Sequence, residues 1–262
     1  NLTFHKKDFT RLLQLIIGRW APGKIRLVAM NGVSTLSLDR EVLSLMRQAG
    51  FSDLNLSLVS ADKESLATVN RPHPPEKFEA VVKEADERGF RIVAYQIIGL
   101  PFETLEKMIQ TLATLARLPV LIGASIFYLA PGSPMAREVG APGEVDCFKA
   151  RSTAMAVESP HFARDDLYTL FITTRILNFL KGLRVENNGL SLKEALQSAE
   201  ENKRGRTGAD LLTRLLAENR LYAATSQGLK PLPRFRAGLF LRVLNETKTL
   251  RTLQGYDIRN SL

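Results

Sequence analysis

Several short segments of this sequence join an apolar run to an abrupt stop on small or polar residues. Residues 91–98 (RIVAYQII) run into Gly99-Leu100-Pro101, and 53–59 (DLNLSLV) into Ser60-Ala61-Asp62. Residues 25–30 (IRLVAM) run into Asn31-Gly32, and 120–128 (VLIGASIFY) lead through Tyr128 to Ala130-Pro131-Gly132. Glycine lacks a Cβ and lets a ligand approach the backbone, while proline fixes the turn and removes a donor. Ends of this kind are suited to binding. The sequence shows no Ser-His-Asp constellation, no phosphate-cradling glycine loop and no carboxylates paired at acid–base spacing. Three histidines argue against a multi-histidine metal cage. The single cysteine, Cys147, rules out an internal disulfide framework, and alone it cannot supply the thiolates of an iron–sulfur or structural zinc site. Cys147 reads as a plain buried thiol, and His73, set among prolines, as a structural or substrate-loop residue.

Placing those ends requires strands and helices in alternation, and the sequence predicts them. An amphipathic helix over residues 8–19 comes first, then a strand at 25–30, a helix at 39–48 closed by Gly50, and a strand at 53–59. The proline-rich linker 70–75 leads to a helix at 76–88 closed by Gly89. A strand at 91–98, a helix at 105–116 and a strand at 120–128 complete the series. This alternation is the signature of βαβ units around a parallel sheet, whose working groups sit at the C-terminal strand ends. No strand pair is joined by a two-residue turn, so hairpins are not expected. Beyond residue 145 the alternation stops. A long helix over 167–183, with Asp165 or Asp166 as its N-cap, precedes helices at 191–201, 209–218 and 240–253, with residues 229–234 as a chain break. The predicted fold is therefore α/β: a parallel sheet over residues 1–145, closing as a barrel or opening as a doubly wound layer, then a mostly α-helical C-terminal region over 146–262.

A chain of 262 residues with 45% hydrophobic content can bury a full core. No run approaches the roughly 20 apolar residues of a membrane span, and no secretory pattern opens the chain, so no membrane partner and a cytoplasmic address are expected. The net charge of +9 would favour polyanions, but the lysines and arginines are scattered with no aromatic-interleaved basic run, which disfavours nucleic acid as a partner. Asn1 is not a translational start, and the chain is expected to be cut from something longer.

Four segments carry a family resemblance. Residues 97–104 (IIGLPFET) resemble the I-x-G-x-P-G-E-T segment of the radical S-adenosylmethionine barrel, in the branch with an upstream cobalamin-binding domain. Residues 36–50 (LSLDREVLSLMRQAG) resemble that branch's L-D-E-E-L-L-x-L-M-K-x-A-G helix, residues 130–135 (APGSPM) its P-x-P-G-T-P-L, and Asn1-Leu2-Thr3 its D-N-x-T. The likeness runs from residue 1 to about 140, and it implies that residues 1–145 form a partial parallel (β/α) TIM-type barrel. The family's C-x-x-x-C-x-x-C is missing, and the resemblance implies that the cluster ligands lie upstream, leaving no metal ligand in this chain and the fragment inactive alone. Its sheet is expected to have an exposed edge where the earlier strands belong, and the fragment to aggregate.

The resemblance implies an enzyme that uses S-adenosylmethionine and a [4Fe–4S] cluster, with cobalamin as an option. It would cleave S-adenosylmethionine to a 5′-deoxyadenosyl radical, or transfer methyl through cobalamin, on a small-molecule or unknown substrate, with flavodoxin or ferredoxin as electron donor. Gly99 and Pro101, with Ile98 and Leu100, would seat adenine through main-chain groups, or only make a strand-to-helix turn with Glu103 and Thr104 starting the helix, although Phe102 replaces the usual glycine. Ser60 would contact ribose or methionine, the family's neighbouring acidic side chain being absent. Asn31 would contact the methionyl moiety or cap a turn. Gln96, by alternation with Tyr95 and Ile97, would point either into the barrel or away from it. Tyr128 would face substrate or belong to the core. Two other classes compete: a parallel-barrel enzyme without iron–sulfur chemistry, and a basic, non-catalytic nucleic-acid-binding module.

Overall fold

The computed structural model describes residues 3, 5–71, 74–138, 149–182 and 203–247. Helix α1 (Lys6–Arg19) and the 3-10 turn Thr35–Ser37 precede α2 (Arg40–Ala49), whose N-cap Asp39 accepts the Val42 N–H at 3.0 Å. Gly50 ends α2 at φ +105°, where a side chain would collide with the Ile25 carbonyl oxygen. Strand β1 (Asp53–Val59) is followed by the short α3 (Lys63–Thr68) and by α4 (Pro75–Glu87), which opens on proline. Strand β2 (Arg91–Ile98), α5 (Leu105–Arg117) under its Thr104 cap, β3 (Leu121–Ile126) and α6 (Pro134–Glu138) complete the alternation.

The three strands form one parallel sheet in the order β1-β2-β3, with Leu56 opposite Ala94 and Ala94 opposite Ile122. Each parallel connection passes through helices, as a crossover must. Burial alternates along β2, where Ile92, Ala94, Gln96 and Ile98 are buried and Arg91 and Tyr95 exposed. The buried side packs with Leu54, Leu56, Ile122 and Ile126 against Phe78, Val81 and Val82 of α4 and Met108, Ile109 and Leu112 of α5. This is the α/β, partial (β/α)-barrel architecture read from the sequence.

The expected strand at 25–30 is not formed. Only Leu27 bridges to Phe51, and the chain turns at Ala29–Gly32 with φ +78° at Gly32. Val33 N–H then donates to the Asn55 carbonyl at 3.1 Å. The segment therefore flanks the outer edge of β1 as an irregular cover, because the turn consumes the residues a regular ladder would need.

Past a 3-10 turn at Ser152–Ala154, α7 (Arg164–Gly182) lies against the other edge of the sheet. Asn178 of α7 accepts the Ile122 N–H at 2.9 Å and donates to the Ile122 carbonyl at 2.7 Å, so its amide occupies the place of a neighbouring strand. Asp166 caps α7 from within its first turn, accepting the Ala163 N–H at 2.8 Å and an Arg236 N–H at 2.7 Å, while Asp165 holds Arg234. Helix α8 (Lys203–Glu218) starts earlier than the 209 expected, and α9 (Ala237–Thr247) earlier than 240. The helix expected at 191–201 lies outside the described residues, as do Cys147 and His73.

Between α8 and α9 stands an antiparallel hairpin, β4 (Tyr222–Thr225) and β5 (Gly228–Pro231), contrary to the expectation of none and to the break assigned to residues 229–234. Gly228 at φ +111° makes the turn, the Thr225 hydroxyl donates to the Gly228 carbonyl at 2.7 Å, and Pro231 sits at the last pairing position, where its missing N–H is tolerated. Leu180, Leu212, Leu215, Phe235 and Phe240 form a second core, whereas Leu167, Leu170, Leu177, Leu239 and Val243 join the core of the sheet. Buried Lys181 donates to the carbonyls of Ala116 (2.8 Å) and Leu118 (2.6 Å), capping the end of α5.

Candidate functional site

The tips of β1 and β2 meet at the start of α5. A β-bulge shifts the register between Ser57 and Val59, and Val59 takes φ +65°, a costly conformation for a β-branched residue. The bend turns Ser60-Ala61-Asp62 over the sheet end. Opposite it, Gly99 takes φ +90°, and Glu103 N–H closes a turn onto the Leu100 carbonyl at 2.9 Å.

Two kinds of surface result. The first is apolar: Val59, Leu66 and Leu100 are buried, with Val69, Ile97, Phe102 and Phe127 half-buried around them. Contributions from all three strand ends give a patch separate from the main core and still reached by solvent. The second is a buried polar cluster. Ser60 Oγ donates to Glu103 Oε1 at 2.6 Å and accepts the Asp62 N–H at 3.1 Å. Thr111 Oγ1 accepts the Ala61 N–H at 2.9 Å, lies 3.4 Å from Ser60 Oγ, and donates to the Lys107 carbonyl at 2.9 Å.

Burial pushes the Glu103 carboxyl up to about 7, and the nearby Asp62 charge adds to that, while the Ser60 hydrogen bond and Lys107 oppose it. Its second oxygen, Oε2, is buried with no hydrogen-bond partner. Partial burial also works against the charge of Asp62, yet Lys107 at 2.9 Å and the N–H and hydroxyl of Ser65 outweigh it and hold that carboxyl below the ordinary range.

The predicted site residues are brought together only in part. Ser60, Leu100 and Pro101 stand at the meeting tips, but the Ser60 hydroxyl is committed to Glu103 and the Leu100 side chain is buried. Gly99 is approached closely by the protein itself. The space a Cβ would need is filled by Leu167 of α7, 3.0 Å away, and the Gly99 N–H donates to Met108 Sδ at 3.2 Å. The Ile98 side chain lies in the main core and its carbonyl accepts the Phe127 N–H at 2.8 Å. Gln96 shares the parity of Ile92 and Ala94 and is buried on the helix-packed side rather than the open one, its amide without a partner. Asn31 is exposed in the turn beside Asn55, in the middle of β1 rather than at a strand tip. Tyr128 is exposed, 43%, so it is not core.

Sequence reasoning missed Glu103, Thr111 and Tyr95. Glu103 read as a helix start, although Thr111 on the apolar stripe of α5, between Met108 and Leu112, signals a polar partner inside. The Tyr95 ring lies over Gly123 on the open face of the sheet, where a glycine inside a strand signals close approach.

Residues 4–115, which contain both tips, match the family model described as the Radical SAM superfamily. Over these residues, somewhat under half of the chain, it is similar to the radical SAM superfamily. No curated protein matches the sequence. Among solved structures, TsrM from Kitasatospora setae, a radical S-adenosylmethionine methyltransferase with cobalamin and a [4Fe–4S] cluster bound, is similar at 20% identity and a TM-score of 0.46 over 54% of this chain. The same enzyme with tryptophan substrate and the analogue aza-SAM is similar at 21% identity and 0.44 over 52%. Coproporphyrinogen III oxidase (HemN) from Escherichia coli, a radical SAM enzyme, is similar at 17% identity and 0.38 over 94% of this chain and 74% of its own. The chain spans 27% of the length of each TsrM chain.

The half-buried apolar patch at the tips suits the adenine ring of S-adenosylmethionine. A [4Fe–4S] cluster does not fit this chain's own residues. Cys147 is its single cysteine, and among the described residues no group of His, Cys, Asp and Glu can hold a metal ion. Among the same residues no helix is long and apolar enough to cross a membrane.

Proposed function

We propose that the tips of β1, β2 and β3 form the nucleoside side of an S-adenosylmethionine site in a radical SAM enzyme. The apolar patch of Val59, Ile97, Leu100, Phe102 and Phe127, placed where parallel sheets present ligands, supports this most directly. Ile97 and Phe127 would contact the adenine ring, the backbone around Ala61 and Pro101 would border the ribose, and Tyr95 and Tyr128 would face the substrate on the open side of the sheet. Radical chemistry on S-adenosylmethionine takes its electron from a [4Fe–4S] cluster whose thiolates these residues do not supply. What this chain does is bind and orient. The whole protein would modify a small molecule by radical chemistry, or by methyl transfer through cobalamin.

The test is calorimetric titration of the 262-residue chain with S-adenosylhomocysteine. Binding in the range of about 1 mM or tighter, equivalent to roughly −4 kcal/mol or better, should be lost in Ile97→Asp and kept in Met30→Asp, whose side chain is exposed away from the tips. Equal binding by both variants, or none by the wild type, would overturn the assignment.

A further inference from the structure

The strained tip of β1 is held from a distance. Ser60, Glu103 and Thr111 are each at most 2% exposed, and they lie on two segments 43 to 51 residues apart in sequence. Through them the N–H groups of Ala61 and Asp62 are satisfied by side chains rather than by water. Val59, immediately before them, holds a conformation that survives only where its surroundings over-determine it. Glu103 belongs to the turn leaving β2, so one carboxyl connects the two segments that carry the proposed site.

We infer that Glu103 is the positioning residue of this site, acting through Ser60 and Thr111 to lock the tip of β1 to the tip of β2 as one ligand-facing surface. The inference rests on the ligand reading above for what the surface binds, but not for the lock itself. The lock is proton-dependent. Glu103 Oε2 has no donor, and the charged groups facing the carboxyl are Asp62, which repels its ionisation, and Lys107, whose ammonium is already shared between Asp62 (2.9 Å) and Glu64 (2.8 Å). Ionised, the carboxylate is a buried charge short of partners and draws in water, loosening the cluster.

Amide hydrogen exchange of the full chain, followed by NMR at Ala61 and Asp62 and normalised to the intrinsic exchange rate, tests the lock. Between pH 6 and pH 8 wild-type protection should fall by about tenfold, the change in the protonated fraction of a group titrating midway. Glu103→Gln, which keeps an acceptor for Ser60, should show a flat profile, and Thr111→Val should lose protection at Ala61 first. A flat wild-type profile, or an equal fall in Glu103→Gln, would overturn the lock. S-adenosylhomocysteine affinity should weaken over the same pH range in the wild type and not in Glu103→Gln. Affinity that ignores pH while protection falls would overturn the positioning role. If neither protein binds the probe, the ligand reading fails and exchange alone judges the lock.

Discussion

Replacing Glu103 by glutamine should change how stability depends on pH. The carboxyl titrates at about 7 in the folded chain against 4.5 for an unperturbed glutamate. Each pKa unit between folded and unfolded states corresponds to about 1.4 kcal/mol, so the gap is worth on the order of 3 kcal/mol. The sign follows from proton binding. Because the folded form holds its proton more tightly, this group's contribution is complete below pH 4.5, drains as pH rises through 7, and is lost above it. Of the total, roughly 2–3 kcal/mol should disappear between pH 5 and pH 8. Urea denaturation of the wild type and of Glu103→Gln at both pH values measures it, since the difference between the proteins removes every other titrating group. The wild type should lose about 2–3 kcal/mol more than the variant on going to pH 8. Equal losses in the two proteins would show the opposite, because a carboxyl that costs nothing to ionise is not buried with an oxygen left unpartnered.

Three further substitutions have expected outcomes. Asn178→Leu removes the amide that satisfies both main-chain groups of Ile122, and should cost about 2 kcal/mol in denaturant unfolding and raise light scattering as the β3 edge opens. Gly99→Ala forces a side chain into φ +90° against Leu167, and should lower stability by about 1–3 kcal/mol; an unchanged midpoint would show that α7 does not pack there. Lys181→Met leaves the Ala116 carbonyl at the end of α5 without its ammonium donor, and should cost about 2–3 kcal/mol, read by thermal unfolding.

Strands β1 and β2 were legible in the sequence to the residue, because alternation and turn signals agree there: Leu54, Leu56 and Leu58 share a face, and Gly99 stops β2. The segment 25–30 carries the same apolar signal, but a strand needs a ladder, and the turn at Gly32 leaves it one bridge. The hairpin was hidden because Gly228 and Pro231 look like breakers, and because the Ser226-Gln227 turn lacks the usual Asn-Gly signal.

The site was readable as a place rather than as a set of contacts. Parallel topology fixes where strand ends gather, so Ser60 and residues 99–101 were legible as neighbours at the strand tips. Which atoms are free there depends on partners far away in sequence. Met108 and Leu167 occupy the surroundings of Gly99, and Glu103 occupies the hydroxyl of Ser60. Gln96 shows the same limit, since alternation gives a residue two faces and only the packing of helices on one of them decides which is inner.

Amide chemical-shift mapping of the chain titrated with S-adenosylhomocysteine reads out whether the strand tips bind the nucleoside. Saturable shifts should gather at Ser60–Asp62, Leu100–Glu103 and Phe127–Tyr128, with the hairpin of β4 and β5 unmoved. Shifts centred on the hairpin, or none at saturating probe, would contradict that binding.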